Sequence, residues 1–165
     1  MKEYRLNNII LTIWLLIYIP QIWLLTLPVN FLIDSMVLVI ALSVLKVENR
    51  KDKYLKSIIK VWIFGFLADF IGAIVMITGT FGLFNGDDSK VGEALRWNPF
   101  DNGVALLWTV ISIIVAAVCI YIFDRKFALA KTGLSERKKK EISIIMAIFT
   151  APYVMALPTC LFVNH

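Results

Sequence analysis

Two aspartates stand where a charge is costly. Asp34 lies in the apolar run Val29–Leu45 and Asp69 in the run Ile58–Phe84. A charged side chain near the centre of a bilayer costs about 2.5–3.5 kcal/mol even on the lenient insertion scale. No Lys or Arg stands close to either acid within its run to offset that cost. An acid in such a place serves one of two ends. It binds a proton, a cation or the cationic group of a substrate, or it links helices through a hydrogen bond to Thr, Ser, Tyr or a backbone carbonyl.

Helical spacing gives both acids a direction. In the run from Ile58, the residues Gly65, Asp69, Gly72, Ala73 and Met76 share one stripe, so Asp69 is grouped with small residues that let helices approach closely. In the run from Val29 the stripe is Asn30, Asp34, Val37 and Ala41, which adds Asn30 as a polar neighbour of Asp34. Asp69, Asp34 and Asn30 are therefore the expected proton-, ion- or substrate-binding residues. Asp69 follows Ile58 by ~16 Å of helix and falls near the midplane; Asp34 follows Val29 by ~8 Å and is shallower. A third stripe, Ala105, Thr109, Ser112, Ala116 and Cys119, marks the packed face of the run Gly103–Phe123.

Other chemistry is poorly provided for. His165 is the one histidine and the last residue, so neither a zinc site nor a Ser-His-Asp arrangement has a base. Gly79 and Gly82 are not followed by Lys-Ser or Lys-Thr, which excludes a phosphate-binding loop of that type. Asp87, Asp88, Glu93 and Asp101 lack the alternating ligand spacing of a calcium loop. Cys119 and Cys160 fall at opposite ends of their runs, too far apart to bridge. No cofactor and no metal centre is expected.

The elements that would position the acids follow from composition. With 59% hydrophobic residues and a mean hydropathy of +0.79, the chain has too few polar residues to cover a soluble globule. Apolar runs long enough to cross hydrocarbon, about 20 residues each, occupy Leu6–Leu27, Val29–Leu45, Ile58–Phe84, Gly103–Phe123 and Ile142–Phe162. The expected fold is all-α, a single polytopic membrane domain of five transmembrane helices. Its cytoplasmic loops are 46–57 and 124–141 and its outer loop is 85–102. In that topology every Lys and Arg of the 17 except Lys90 and Arg96 lies on one side. The positive-inside rule makes that side cytoplasmic, which places the amino terminus inside and the carboxyl terminus outside the cell (plasma) membrane. The net charge of +5 is thus a topology signal and an attraction to anionic lipid, not a nucleic-acid surface.

Local signals refine the boundaries. Trp23 suits an outer interface, and Thr26-Leu27-Pro28 turns the first run tightly into the second. The third run is too long for the bilayer and is expected to end early at Gly79–Gly82. Ser89–Leu95 reads as a short surface helix, with Trp97 at the interface and Asp101 capping the fourth helix. That helix is expected to continue to Thr132 and stop at Gly133, after which Ser135 caps a helix entering the fifth run. Pro152 and Pro158 should break the outer half of that run. No internal repeat is present.

Three classes of function fit these features. A small transporter, or the membrane subunit of a transport complex, would use Asp69 for a coupling proton or cationic group beside the proline-broken fifth helix. A non-catalytic accessory, immunity or scaffold subunit would bind another membrane protein through the small-residue stripes. An intramembrane aspartyl-type enzyme would pair Asp34 with Asp69 to activate water, though neither acid has a glycine-framed catalytic setting. In each case the partners are membrane lipids and either another membrane subunit or further copies of the chain.

Overall fold

A computed structural model describes residues 27–84 and 89–158. The expected first span, residues 6–27, therefore lies almost wholly outside the described residues, as do Trp23, Asp87, Asp88, Cys160 and the end of the expected fifth span. The chain divides into two compact units, residues 1–33 and 34–165. Of the first, only 27–33 are described; the packing below is that of the second.

The described residues are helical throughout their elements, with no strand among them. Three helices are long and apolar enough to cross a membrane, namely α1 (Leu27–Val44), α2 with its extension (Arg50–Leu83), and α4 with its extension (Gly103–Ala128). They fit a membrane protein. Two shorter helices accompany them, α3 (Lys90–Trp97) and α5 (Glu136–Phe149).

Helix α2 begins at Arg50, so most of the expected loop 46–57 is helical. Local bonds explain the early start. The Lys56 ammonium donates to Asp52 across one turn at 2.8 Å, and Ser57 Oγ donates to the Lys53 carbonyl at 2.8 Å. The turn from α1 is tight, with Lys46 and Asn49 both at positive φ and Val47 buried between them.

The early end expected at Gly79 does not occur. Beyond Ile77 the helix continues through Thr78–Leu83 in π geometry, closed by the Phe84 N–H donating to the Gly79 carbonyl at 3.1 Å. Gly79 serves packing instead of termination. A Cβ there would collide with the Trp108 indole, whose Nε1–H donates to the Val75 carbonyl at 3.0 Å. At 34 residues, or ~51 Å of helix, α2 exceeds the ~30 Å of hydrocarbon and must tilt or project.

Between α2 and α4, Ser89 caps α3 by accepting from the Gly92 N–H at 3.2 Å, as its spacing suggests. Asp101 does not cap α4. Asn102 does, accepting from the Val104 and Ala105 N–H groups at 2.9 and 3.3 Å, while Asp101 accepts from the Asn98 amide at 2.7 Å. The cause is the single 3-10 turn Pro99–Asp101, which carries the chain one residue further before the helix opens.

The principal contact in the unit is between α2 and α4. Gly72 makes it close: a Cβ there would lie 2.9 Å from Ala116 Cβ and 3.1 Å from the Ser112 carbonyl oxygen. The face of α4 that is buried is Ala105, Thr109, Ser112, Ala116 and Ile120. Cys119, expected on that face, is only half-buried. After Phe123 the chain makes a π turn, Asp124–Ala128, then the 3-10 turn Ala130–Thr132, and stops at Gly133 with φ of 67°. Ser135 caps α5, accepting from the Lys138 N–H at 3.4 Å. Helix α5 ends at Phe149, and Pro152 precedes a 3-10 turn over Tyr153–Ala156, so the described part of the run from Ile142 is a broken one.

Candidate functional site

The acids picked out by the apolar runs meet in the second unit. Asp34 is buried, 6% exposed, on the same face of α1 as Leu38, Ala41 and Leu42. Its Oδ2 occupies the space a side chain at position 65 would take, since a Cβ on Gly65 would stand 3.3 Å from that oxygen. Gly65 is thus a notch in α2 that receives the Asp34 carboxyl. Asp69, half-buried, is one helical turn further along α2. Asn30, one turn before Asp34 on α1, falls in the first compact unit, whereas the group described here lies in the second.

The surroundings supply little to offset these charges. The Oδ1 atom of Asp69 is buried and has no hydrogen-bond partner. Among the described residues the ion pairs are Lys56–Asp52, Arg125–Glu136, Arg137–Glu141 and Lys139–Glu136, so neither Asp34 nor Asp69 takes part in one. A buried polar atom without a partner carries a desolvation cost of roughly 1–3 kcal/mol, more when charged. That cost singles out Asp69 as a candidate site residue.

A third acid belongs with these two, and the sequence pattern did not single it out. Asp124 is 1% exposed, and neither of its carboxyl oxygens has a partner. It opens the π turn that extends α4, and its backbone carbonyl accepts from the Leu129 N–H at 2.8 Å. Phe123 and Phe127 flank it, and both rings pack on Phe64, at 5.7 and 5.4 Å between centroids. Phe64 adjoins Gly65 in the chain, so the π turn that carries Asp124 packs on α2 at the level of the notch. The signal that could have found Asp124 is the buried stripe of α4 itself: from Ala116, steps of four lead to Ile120 and then to Asp124.

A recess lies elsewhere in the unit. A cavity of about 620 Å³ is lined by Lys90, Glu93, Ala94, Trp97, Asp101 and Asn102, at the opposite end of α4 from Asp124. It is open and holds charges of both signs, and it has no connection in chemistry to the three acids. Among the described residues no three carboxyl, imidazole or thiol groups converge closely enough to hold a metal ion.

Among the described residues the fold is all-helical, with three long apolar helices that fit a membrane protein, two buried carboxyls, Asp34 and Asp124, and a half-buried third, Asp69. No family model matches the chain, and neither curated proteins nor solved structures give a match.

Proposed function

We propose that this protein is a small membrane transporter, or the membrane subunit of a transport complex, in which Asp34 and Asp69 bind a proton, a cation or a cationic substrate. One observation carries the reading: the buried carboxyl of Asp34 on one apolar helix is seated in the Gly65 notch of a second, one turn from that helix's own acid Asp69, with no ion pair to either among the described residues. A structural link between helices would be better served by a hydroxyl or amide pair, which avoids the repulsion of two carboxylates. The charge asymmetry supports a plasma-membrane orientation with residues 46–57 and 124–141 in the cytoplasm, and the full topology is that of five spans. The broken stretch after Phe149 supplies irregular backbone of the kind that lines transport pathways.

Inverted membrane vesicles test this. A pH gradient is generated by respiration, Na⁺, K⁺, Li⁺ or an organic ammonium ion is added, and collapse of the gradient is followed with a fluorescent amine. The wild-type chain accelerates collapse with at least one of these cations, and Asp69→Asn removes the effect while the protein still inserts. A wild-type chain inactive with every cation, or a double Asp34→Asn, Asp69→Asn variant as active as wild type, would overturn the proposal.

A further inference from the structure

The basic residues around the ends of α1, α2 and α4 are not all used in the same way. Ion pairs among the described residues take up Lys56, Arg125, Arg137 and Lys139, and Arg50 turns back to the Val47 carbonyl and the Ser43 hydroxyl at 3.3 and 3.4 Å. Two of the remaining lysines reach across to another element. Lys53, in the first turn of α2, brings its Nζ over the Gly133 stop, where it would stand 3.3 Å from a Cβ at that residue. Lys138, on α5, donates from Nζ to the backbone carbonyl of Lys46, in the turn after α1, at 3.4 Å. Both lysines therefore bridge the same two segments, 46–53 and 133–138. Both are half-buried. An ammonium drawn out of water gains from an acid beside it, yet no carboxyl pairs with Lys53 or Lys138 among the described residues. Of the acids in these segments, Asp52 bonds Lys56, Glu136 bonds Lys139, and Glu48 is exposed and joins no ion pair.

We propose that the junction of segments 46–53 and 133–138 is a headgroup site for an anionic phospholipid, whose phosphate is held by Lys53 and Lys138. An ammonium carries three donors. Lys138 uses one on the Lys46 carbonyl, so donors remain on both lysines for phosphate oxygens. The setting fits a lipid better than free phosphate. The junction lies just beyond Val44 of α1, at the start of α2 and after Ala128 of α4, the level at which headgroups meet hydrocarbon when these helices cross a bilayer. Basic pockets between helices at that level recognise anionic headgroups. Below it the flank of α2 turns apolar: Lys53, Lys60, Phe64 and Leu67 follow one another at spacings of seven, four and three. Lys60 on that flank is half-buried and joins no ion pair among the described residues. Leu67 is exposed, as is Phe127, whose ring stacks on Phe64. An acyl chain can lie along these apolar side chains while its headgroup stays with the lysines. A zwitterionic headgroup carries its own cation and gains less from the junction, so the site selects net negative charge.

This inference does not rest on the transport reading, and its readout is lipid binding. The full-length protein is held in a neutral detergent, and its affinity for the first molecule of dioleoylphosphatidylglycerol is measured by native mass spectrometry, with dioleoylphosphatidylcholine as the zwitterionic probe. The wild type is expected to bind the anionic lipid about 10-fold more tightly than the zwitterionic one. The double variant Lys53→Gln, Lys138→Gln is expected to lose that preference. The matched double variant Lys51→Gln, Lys140→Gln removes two exposed lysines, each two residues from a site lysine, with the same change in net charge, and is expected to keep it. Equal loss in the two double variants would mean a diffuse basic surface and would overturn the proposal. No preference in the wild type, or none lost in Lys53→Gln, Lys138→Gln, would overturn it as well. Inorganic phosphate at millimolar concentration is expected to leave the lipid bound; displacement would contradict a lipid site and assign the lysines to free phosphate. If Lys53→Gln, Lys138→Gln does not fold, Lys138→Gln against Lys140→Gln decides by the same criterion. A chain that is inactive in the gradient assay and keeps its lipid preference would sink the transport reading and leave this one standing.

Discussion

The two ends of the α2–α4 pair treat their polar groups in opposite ways. At the end near α3, each polar side chain in the packing has a local partner. Trp108 bonds the Val75 carbonyl, Thr109 the Ala105 carbonyl, Ser112 the Trp108 carbonyl and Thr80 the Met76 carbonyl, while Asn102 closes the end of α4. At the other end, Asp69 Oδ1, both Asp124 oxygens and Ser143 Oγ are buried and unpartnered. The pair thus satisfies its buried hydroxyls, indole and amide, Ser57 and Thr132 at the second end included, and leaves buried carboxyl oxygens unpartnered at that second end. The first pattern is what stability requires. The second concentrates cost at one place, which is how sites that must gain and lose a ligand are usually built.

Substitutions should separate the two ends by kind of effect. The largest change is expected from the double Asp34→Asn, Asp69→Asn variant: gradient collapse slowed by at least ~100-fold, with the thermal midpoint in detergent unchanged or raised, because two repelling carboxyls become neutral. A fall in midpoint with transport intact would invert the assignment of that end. At the other end, Gly79→Ala drives a methyl into the Trp108 indole and displaces its bond to Val75. The expected loss is about 1–3 kcal/mol of stability from overpacking, measured by thermal unfolding, with the transport rate per folded molecule retained. Asn102→Ala removes the cap of α4 and is expected to cost about 1 kcal/mol in the same measurement. The smallest effect belongs to Glu136, a fully exposed group. The Lys139 ammonium that bonds it, with help from Arg125, holds its carboxyl below the ordinary value of 4.5. Its contribution is therefore present above that value and is lost as pH falls through the lowered one. Glu136→Gln should flatten a shallow dependence of the midpoint on pH below 4.5 and leave neutral pH untouched.

How far the sequence revealed this arrangement varies with the residue. Asp34 and Asp69 were conspicuous as charges inside apolar runs; of the stripe expected on α2, Gly65 and Gly72 are buried, but Ala68 takes the buried place between them and Asp69, Ala73 and Met76 are half-buried. Gly133 and Ser135 were legible as a stop and a cap because each acts through its own backbone conformation. Asp124 was not legible in that way. It directly follows the apolar run and precedes Arg125 and Lys126, so composition placed it in a cytoplasmic loop, whereas its burial comes from α2 and α5 closing over a π turn. Taking Cys119 in place of Ile120 as the next member of the stripe also hid the step of four that leads to it. Gly79 misled for a related reason: its low helix propensity is local, and the indole that fills the space above it belongs to another helix. Asp101 and Asn102 compete for one cap, and only the 3-10 turn before them decides between the two.

The account turns on whether the stranded end, and not acidity in general, carries the activity. Gradient collapse in inverted vesicles should be compared between Asp69→Asn and Asp101→Asn, one acid from each end, at matched amounts of inserted protein. Asp69→Asn is expected to fall to the level of vesicles lacking the protein, and Asp101→Asn to retain the wild-type rate. Equal rates in the two variants, whether both high or both lost, would contradict the assignment.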